Sequence, residues 1–379
     1  MRLSLRKLQF NIHRTRAASK VFSGPQSYPD ESIESRVRSR PHEELIAMST
    51  PEETPAPEIS GQLSSPPSSS PPLLPAPDQK DTNLTMSSDL LHPLKPKCYS
   101  STKRRWIESL NASDKVPPKK LRIISWNVDF ASPTPKKRMQ SIISYLESIA
   151  SASSPESWCI LLQEMMEDSL ATLLSDDWVR THFIVLPTSR DEWPQHSWYG
   201  NVTLVSRNLH IVSASILTFE NSFMGRGAVI VDVLLRATRS RRRQVIRVAN
   251  THLESLPQGT SARPMQLLSI SALLKEPGLR GGIVGGDMNA IRPSDRAIHV
   301  AAGLRDAYYS IVPDDESSYT WGYQPPSRFP PGRLDKVFYT GRELLVDCVQ
   351  RIGVGLKTEH GQWVSDHYGL VTTLMLETK

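Results

Sequence analysis

The sequence predicts an α/β sandwich, two packed sheets with helices outside, behind a basic tail. Three observations carry this: a break in composition near residue 120, a series of apolar runs of strand length, and helical periodicity between only some of them. Of the 30 prolines in 379 residues, 16 fall in residues 1–120, against two of the 19 glycines and five of the 26 aromatics. A segment with that bias buries too little apolar surface to offset its ordering entropy. Charge divides at the same place: 18 Lys+Arg against 13 Asp+Glu up to residue 120, and 27 against 26 beyond it. The net +6 therefore belongs to a basic tail on a nearly neutral body, and is not by itself the mark of a nucleic-acid-binding domain. The expected division is a disordered Pro/Ser-rich tail over 1–118 and one folded domain over 119–379.

Residues 1–22 hold Arg2, Arg6, Lys7, Arg14, Arg16 and Lys20, interleaved with Leu3, Leu5, Leu8, Phe10 and Ile12, and no acid precedes Asp30. That pattern fits a mitochondrial presequence as well as a generic basic start. Pro51 to Pro77 reads as extended linker. Lys103-Arg104-Arg105, followed after nine residues by Lys115-Val116-Pro117-Pro118-Lys119-Lys120, has the layout of a bipartite nuclear address, so the expected location is the nucleus, with the mitochondrion as alternative. Cys98, Cys159 and Cys348 are too scattered for a zinc site or a disulfide framework. No apolar run approaches the ~20 residues that span a bilayer, so a soluble protein without membrane contact is expected; a monomer is expected separately.

From Leu121 onward, apolar runs end in small polar groups. Leu121–Trp126 ends in Asn127, and Cys159–Leu162 in Gln163-Glu164. Met139, Ile142, Ile143, Leu146 and Ile149 then place a helix between these two, closed by Ser154-Pro155. Phe183–Leu186, Asn201–Ser206, Ile211–Thr218, Gly227–Leu235 and Val245–Ala249 follow as consecutive strands, with Arg239–Arg243 in a hairpin loop. Val245–Ala249 runs into Asn250-Thr251-His252-Leu253-Glu254-Ser255. Pro264 suits the first turn of a helix whose face carries Leu267, Ile270 and Leu274. Gly281–Val284 ends in Gly285-Gly286-Asp287-Met288-Asn289; Arg333-Leu334-Asp335 leads a strand, and Ser365-Asp366-His367 precedes the last, Tyr368–Leu376.

Singly, each polar group has an ordinary explanation: a buried amide such as Asn127 or Asn201 satisfying backbone, an edge carboxylate, a core histidine. Gathered at strand ends on one sheet edge, where sites assemble, they suit hydrolysis of a phosphodiester. Oxygen ligands without cysteine select a hard ion such as Mg²⁺, with Glu164 the first candidate ligand and Asp366 the second. Asp287 suits activation of the attacking water, with Asn289 holding the nucleophile or a phosphate oxygen. His252 and His367, if protonated, would stabilise the phosphorane-like charge, and Asp335 could fix the tautomer of one and raise its pKa. No G-x-x-x-x-G-K-[ST], G-x-S-x-G or H-E-x-x-H pattern occurs, which sets aside Walker-type kinases, serine hydrolases of the elbow type and zincins.

Seven short motifs stand in order: Ser125-Trp126-Asn127, Leu162-Gln163-Glu164, Gly200-Asn201, Thr251–Ser255, Gly286–Asn289, Arg333-Leu334-Asp335 and Ser365-Asp366-His367. Together they resemble the Mg²⁺-dependent endonuclease/exonuclease/phosphatase superfamily, from about Leu121 onward. The resemblance implies a four-layer α-β-β-α sandwich. It implies Mg²⁺, replaceable by Mn²⁺, at Glu164 with Asn127 and Asp366 nearby, water activation at Asp287, and phosphate contacts from Asn289, His252 and His367, with Asn201 and Asp335 completing the catalytic set. Within the superfamily, the Glu254-Ser255 pair, Met224-Gly225-Arg226 and Tyr319-Thr320-Trp321 resemble the branch that cleaves 5′-tyrosyl-DNA bonds in DNA repair. That branch implies DNA ends carrying a topoisomerase-derived peptide as substrate, and substrate contacts from Arg226, Ser255 and Trp321. The family often carries an arginine two residues past Asp-x-Asn; Ile291 stands there, and Arg292 is the candidate replacement one position later. An RNA deadenylase or abasic-site endonuclease of the same superfamily is the alternative. A non-catalytic scaffold is the reading from another class, and competent residues at each expected catalytic position argue against it.

Overall fold

The computed structural model describes residues 89–109, 116–152, 156–194, 197–238, 242–308 and 315–377, all in the compact unit Asp81–Lys379. The Arg-rich start, the Pro51–Pro77 tract, Lys115, Ser154-Pro155 and Arg239–Arg241 lie outside these residues.

In chain order the elements are β1 (Leu90–Pro93), β2 (Lys97–Ser100), β3 (Arg105–Glu108), β4 (Lys120–Asn127), helix α1 (Pro135–Ser151), β5 (Trp158–Met166), helices α2 (Glu167–Ser175) and α3 (Asp177–His182), β6 (Phe183–Leu186) and β7 (Tyr199–Ser206). There follow β8 (Ile211–Thr218), β9 (Gly227–Arg236), β10 (Arg243–His252), α4 (Ala262–Leu274), β11 (Leu279–Asp287), the short α5 (Ile298–Ala301), β12 (Arg305–Asp306), β13 (Asp335–Thr340), β14 (Leu344–Val346), β15 (Gln350–Ile352) and β16 (Gly369–Leu376). One sheet has seven strands in the order β1-β8-β9-β10-β11-β13-β12; the other has nine, β14-β16-β4-β5-β7-β6-β2-β3, with β15 also on β16. Both are mixed, because β10 with β11 and β4 with β5 are parallel pairs among antiparallel neighbours.

The strands alternate the apolar side chains they give to each face, and this builds the layers. Leu121, Ile123, Cys159 and Leu161 meet Val229, Val231, Val248 and Ile283 in the core between the sheets. The opposite faces are covered by helices: Met139, Ile142, Ile143 and Leu146 of α1 pack on Ile124, Trp126 and Ile160, and Leu267, Ile270 and Leu274 of α4 on Ala249 and Val284. The architecture is thus the expected α-β-β-α sandwich. α1 and α4 stand where periodicity places them. α2 and α3, nine and six residues long, were not anticipated; Asp176 caps the second by accepting from Val179 N at 3.0 Å.

The folded body begins ahead of the boundary expected at 118/119. β1 pairs with β8 at the edge of one sheet, and the β2–β3 hairpin pairs through β2 with β6 of the other. This stretch shares the proline-rich bias of the tail, but it needs no core of its own, since backbone pairing to an existing edge supplies its order. Lys103-Arg104-Arg105 consequently sits, exposed, at the turn of the β2–β3 hairpin.

Candidate active site

The C-terminal ends of the parallel pairs meet the N-terminal ends of their antiparallel partners at one edge of the sandwich. Register places the polar residues side by side there. His252 of β10 pairs with Asp287 of β11, and Asp287 with Asp335 of β13. In the other sheet Asn127 ends β4 beside Gln163 of β5, and the last strand, β16, begins just after His367. Gly286 lets β10 and β11 approach here: a Cβ on it would lie 1.8 Å from the Thr251 carbonyl oxygen. Beneath the edge, Gln163 Nε2 donates to Asn250 Oδ1 at 2.8 Å, and Asn250 Nδ2 donates to Leu162 O and Val202 O, so a buried amide pair joins the two sheets.

Glu164 departs from the strand pattern. It has φ +59°, and the β5–β7 register shifts between Leu162 and Met165, a bulge that re-aims its side chain. Oε2 accepts from Phe130 N at 2.9 Å, while Oε1 lies 3.9 Å from His252 Nε2. Burial, and then the charges of Asp366 and Asp129, push its carboxyl up to about 7; burial also pushes Asp366 up to about 6.

Asp287 is held on both oxygens: Asn289 N donates to Oδ1 at 2.8 Å and Asn127 Nδ2 to Oδ2 at 3.1 Å. The same Oδ2 lies 3.4 Å from His252 Nε2 and 3.8 Å from His367 Nε2. The two imidazoles differ in state. His367 Nδ1 is 2.7 Å from Asp335 Oδ2; burial alone would depress its pKa, but Asp335, Asp366 and Asp287 overcome burial and hold it well above the ordinary value. His252 is held well below that value by burial, then by Arg226 and His367. Arg226 Nη1 lies 2.8 Å from His252 Nδ1, and a guanidinium only donates, so the neutral ring carries its proton on Nε2, facing Asp287. The condition set for both histidines, that they be protonated, is favoured at His367 and disfavoured at His252, which is placed to act as a neutral donor.

Other expected residues fall in place around this core. Arg226 also donates to Ser255 Oγ at 2.7 Å, and its guanidinium lies 5.2 Å from the Tyr199 ring centroid. Trp321 Nε1 donates to Asp366 Oδ2 at 2.9 Å. Asn201 lines a pocket with Arg226 and His252, but its Nδ2 is spent on Gly227 O at 3.0 Å. Asn289 Nδ2 is likewise committed to Leu253 O. Arg292 is not brought in: its side chain is exposed, its backbone N–H donates to Asp295 Oδ2 at 2.8 Å, and its carbonyl accepts from Asp295 N at 2.9 Å.

A sequence profile of the Endonuclease/Exonuclease/phosphatase family matches residues 124–367. The chain belongs to this family. It is 24% identical over 286 residues, 72% of either chain, to tyrosyl-DNA phosphodiesterase 2 of Danio rerio. Among solved structures, truncated TDP2 of Caenorhabditis elegans superposes with a TM-score of 0.54 at 19% identity, covering 69% of this chain and 99% of that one. The Danio rerio TDP2 complexed with single-strand DNA product gives 0.52 at 22%, covering 67% and 98%. The solved structures share the fold with this chain, and the family profile together with the curated relative supports a phosphodiesterase or nuclease that resembles tyrosyl-DNA phosphodiesterase 2.

Enzymes of the Endonuclease/Exonuclease/phosphatase family are metal-dependent, and the donor set here fits a hard divalent cation. Glu164, His252 and Asp287 offer ligand atoms within 4.8 Å of one another, as do Asp287, Asp335 and His367. In the second trio His367 is an imidazolium bound to Asp335 and lacks a lone pair for a metal. In the first, His252 carries its proton on Nε2 and meets Arg226 at Nδ1, so it too has no free lone pair, and the carboxylates of Glu164 and its neighbours define the cation side. Glu164 Oε1 is its open oxygen, with Asp366 near enough to raise its pKa, and burial costs these carboxylates a charge that a cation would restore. Asn127 fits less directly, since its amide oxygen already accepts from Asp129 N at 3.0 Å.

Sequence reasoning missed Asp129, whose Oδ1 accepts from Ala131 N and Ser132 N, and Arg138. Buried at 2% exposure, Arg138 donates to Val128 O at 2.7 Å and Val364 O at 2.8 Å, fixing the loops that carry Asp129 and Asp366. Its position on the buried side of α1 was the available signal, since an unpaired arginine seldom lies on an apolar helix face.

Proposed function

We propose that the protein is a Mg²⁺-dependent 5′-tyrosyl-DNA phosphodiesterase that cleaves the bond between a DNA 5′ end and a topoisomerase-derived tyrosine, leaving a 5′-phosphate. One observation carries the reading. Arg226, Ser255 and Trp321, on which the likeness to that branch rests, converge on the catalytic edge: Arg226 bridges His252 and Ser255, and Trp321 holds Asp366 beside His367.

Glu164 with Asp366 would hold the ion. Magnesium bound there supplies polarisation of a phosphoryl oxygen and neutralisation of developing charge. Asp287 Oδ2, oriented by Asn127, takes the proton of a water whose oxygen attacks phosphorus. The bond from phosphorus to the tyrosine oxygen breaks on the opposite side. The His367 imidazolium and the His252 Nε2–H donate to the non-bridging oxygens as their charge grows. A phenol of pKa ≈ 10 departs as phenolate without a strong acid, which suits a cleft whose fixed cation donates to phosphate. Trp321, half-buried at the rim, offers a ring face to an adjacent base.

For location, the reading is the nucleus, because Lys103-Arg104-Arg105 is presented on an exposed turn, and Lys119 and Lys120 are also exposed. Activity is tested on a panel of 5′-phosphotyrosyl oligonucleotide, poly(A) and abasic duplex. Preferred cleavage of the first, abolished by EDTA and reduced about 10³-fold or more in Asp287→Asn, is expected. Preference for either other substrate makes the protein a deadenylase or an abasic-site nuclease instead.

A further inference from the structure

Within Thr251–Ser255, His252 and Ser255 meet Arg226, and Glu254 turns elsewhere. It is 2% exposed, and each carboxylate oxygen is on the loop that leads into Arg226: Oε2 accepts from Ser222 Oγ at 2.6 Å and Oε1 from Met224 N at 3.1 Å. Between these two anchors Phe223 stands 91% exposed. The loop closes on itself, because Arg226 N donates to Ser222 Oγ at 2.7 Å. Ser197 Oγ donates to Gly225 O at 2.9 Å, which ties the loop to the segment that leads into β7. The guanidinium then emerges on His252 and Ser255.

Glu254 is itself braced. Gln266 of α4 donates from Nε2 to Oε2 at 3.3 Å and accepts from Glu254 N at 2.9 Å. Arg263 donates to the Glu254 carbonyl at 3.1 Å and pairs through two nitrogens with Asp295. Room for the side chain is made at Gly259, where a Cβ would lie 2.8 Å from Glu254 Cγ. Among the described residues no cation touches the carboxylate. A buried acid without one is costly to keep, and here its hydrogen-bonding capacity goes to Ser222, Met224 and Gln266.

We infer that Glu254 is a positioning residue for the phosphodiesterase reaction. It clamps Ser222 and Met224 so that Arg226 is preset toward His252 and the scissile phosphate, and the effect reaches the substrate only through Arg226. The inference rests on the phosphodiester reading of the cleft, not on the choice of tyrosyl substrate.

The test combines a kinetic cycle with proteolysis on the full chain. Glu254→Gln, which cannot accept on both atoms, is expected to lower kcat/KM about tenfold, and Ser222→Ala, which cuts one anchor, by less. In an Arg226→Ala background the same Glu254→Gln change is expected to cost less than twofold. Chymotrypsin cleavage after Phe223 is expected to accelerate in both single variants at temperatures where the melting transition is unchanged. An equal loss with and without Arg226, or an unchanged rate of cutting after Phe223, would overturn the inference. If Glu254→Gln melts early, Ser222→Ala alone carries both readouts. If the phosphotyrosyl oligonucleotide is not cleaved, the substrate assignment fails; the cycle then runs on whichever panel member is hydrolysed, and the proteolysis arm is unaffected.

Discussion

His252 and His367 face the same oxygen of Asp287, at 3.4 and 3.8 Å, and are equally withdrawn from solvent, at 3% and 5% exposure. Their second nitrogens meet opposite charges. His367 Nδ1 rests on Asp335, and His252 Nδ1 on Arg226. Equal burial therefore ends in an imidazolium on one side of the cleft and a neutral ring on the other. Histidine at a strand end is only an outline of a function; the residue behind it decides whether it brings charge. In the proposed reaction, one fixed cation and one neutral donor flank Asp287 and face the phosphate from two sides.

The contrast breaks most severely where the acid behind His367 is removed. Asp335→Asn is expected to lower kcat about 10²-fold, because the Nδ1 partner and the charge on the ring go together. The sign of the pH effect follows. A raised pKa means that His367 keeps its proton until pH climbs through that value; without Asp335 the value falls, so the alkaline limb of the kcat profile moves to lower pH. A pH–rate series on wild type and variant reads this directly. A limb that stays in place, or moves upward, contradicts the assignment.

The acidic side sharpens the same comparison with a smaller effect. Glu164 at about 7 and Asp366 at about 6 are raised acids, protonated below those values and ionised above them. Protons therefore compete with the cation as pH falls. Magnesium affinity is expected to weaken about tenfold between pH 8 and pH 6, with proton release on binding near pH 6.5, as read by calorimetry in two buffers of different ionisation enthalpy. The smallest effect belongs to Arg292. Exposed and outside the cluster, it is expected on conversion to alanine to change kcat/KM less than twofold.

Much of this architecture is legible in the sequence because buried strands read as apolar runs that stop abruptly. The runs ending at Asn127, His252 and Asp287 match β4, β10 and β11, and the residues that terminate them are the ones that meet. α2 and α3 were hidden by their length, since two turns of helix establish no period. β1, β2 and β3 were hidden by the composition of their surroundings, and the side chains of β1 are all exposed, leaving no alternation to detect. Glu164 was visible as an acid, but its bulge depends on the register with β7. The charge on each histidine was least legible, for it depends on Asp335 and Arg226, 32 and 26 residues away along the chain.

Nuclear magnetic resonance of the two imidazoles, with labelled histidine in the magnesium-loaded protein, reaches that charge without any assumption about substrate. At pH 7.5 the account predicts an imidazolium spectrum for His367 and a neutral, Nε2-protonated spectrum for His252, exchanged for one another in neither direction by titration down to pH 6. Two rings titrating together near 6.5, or a neutral His367 at pH 7.5, would contradict it.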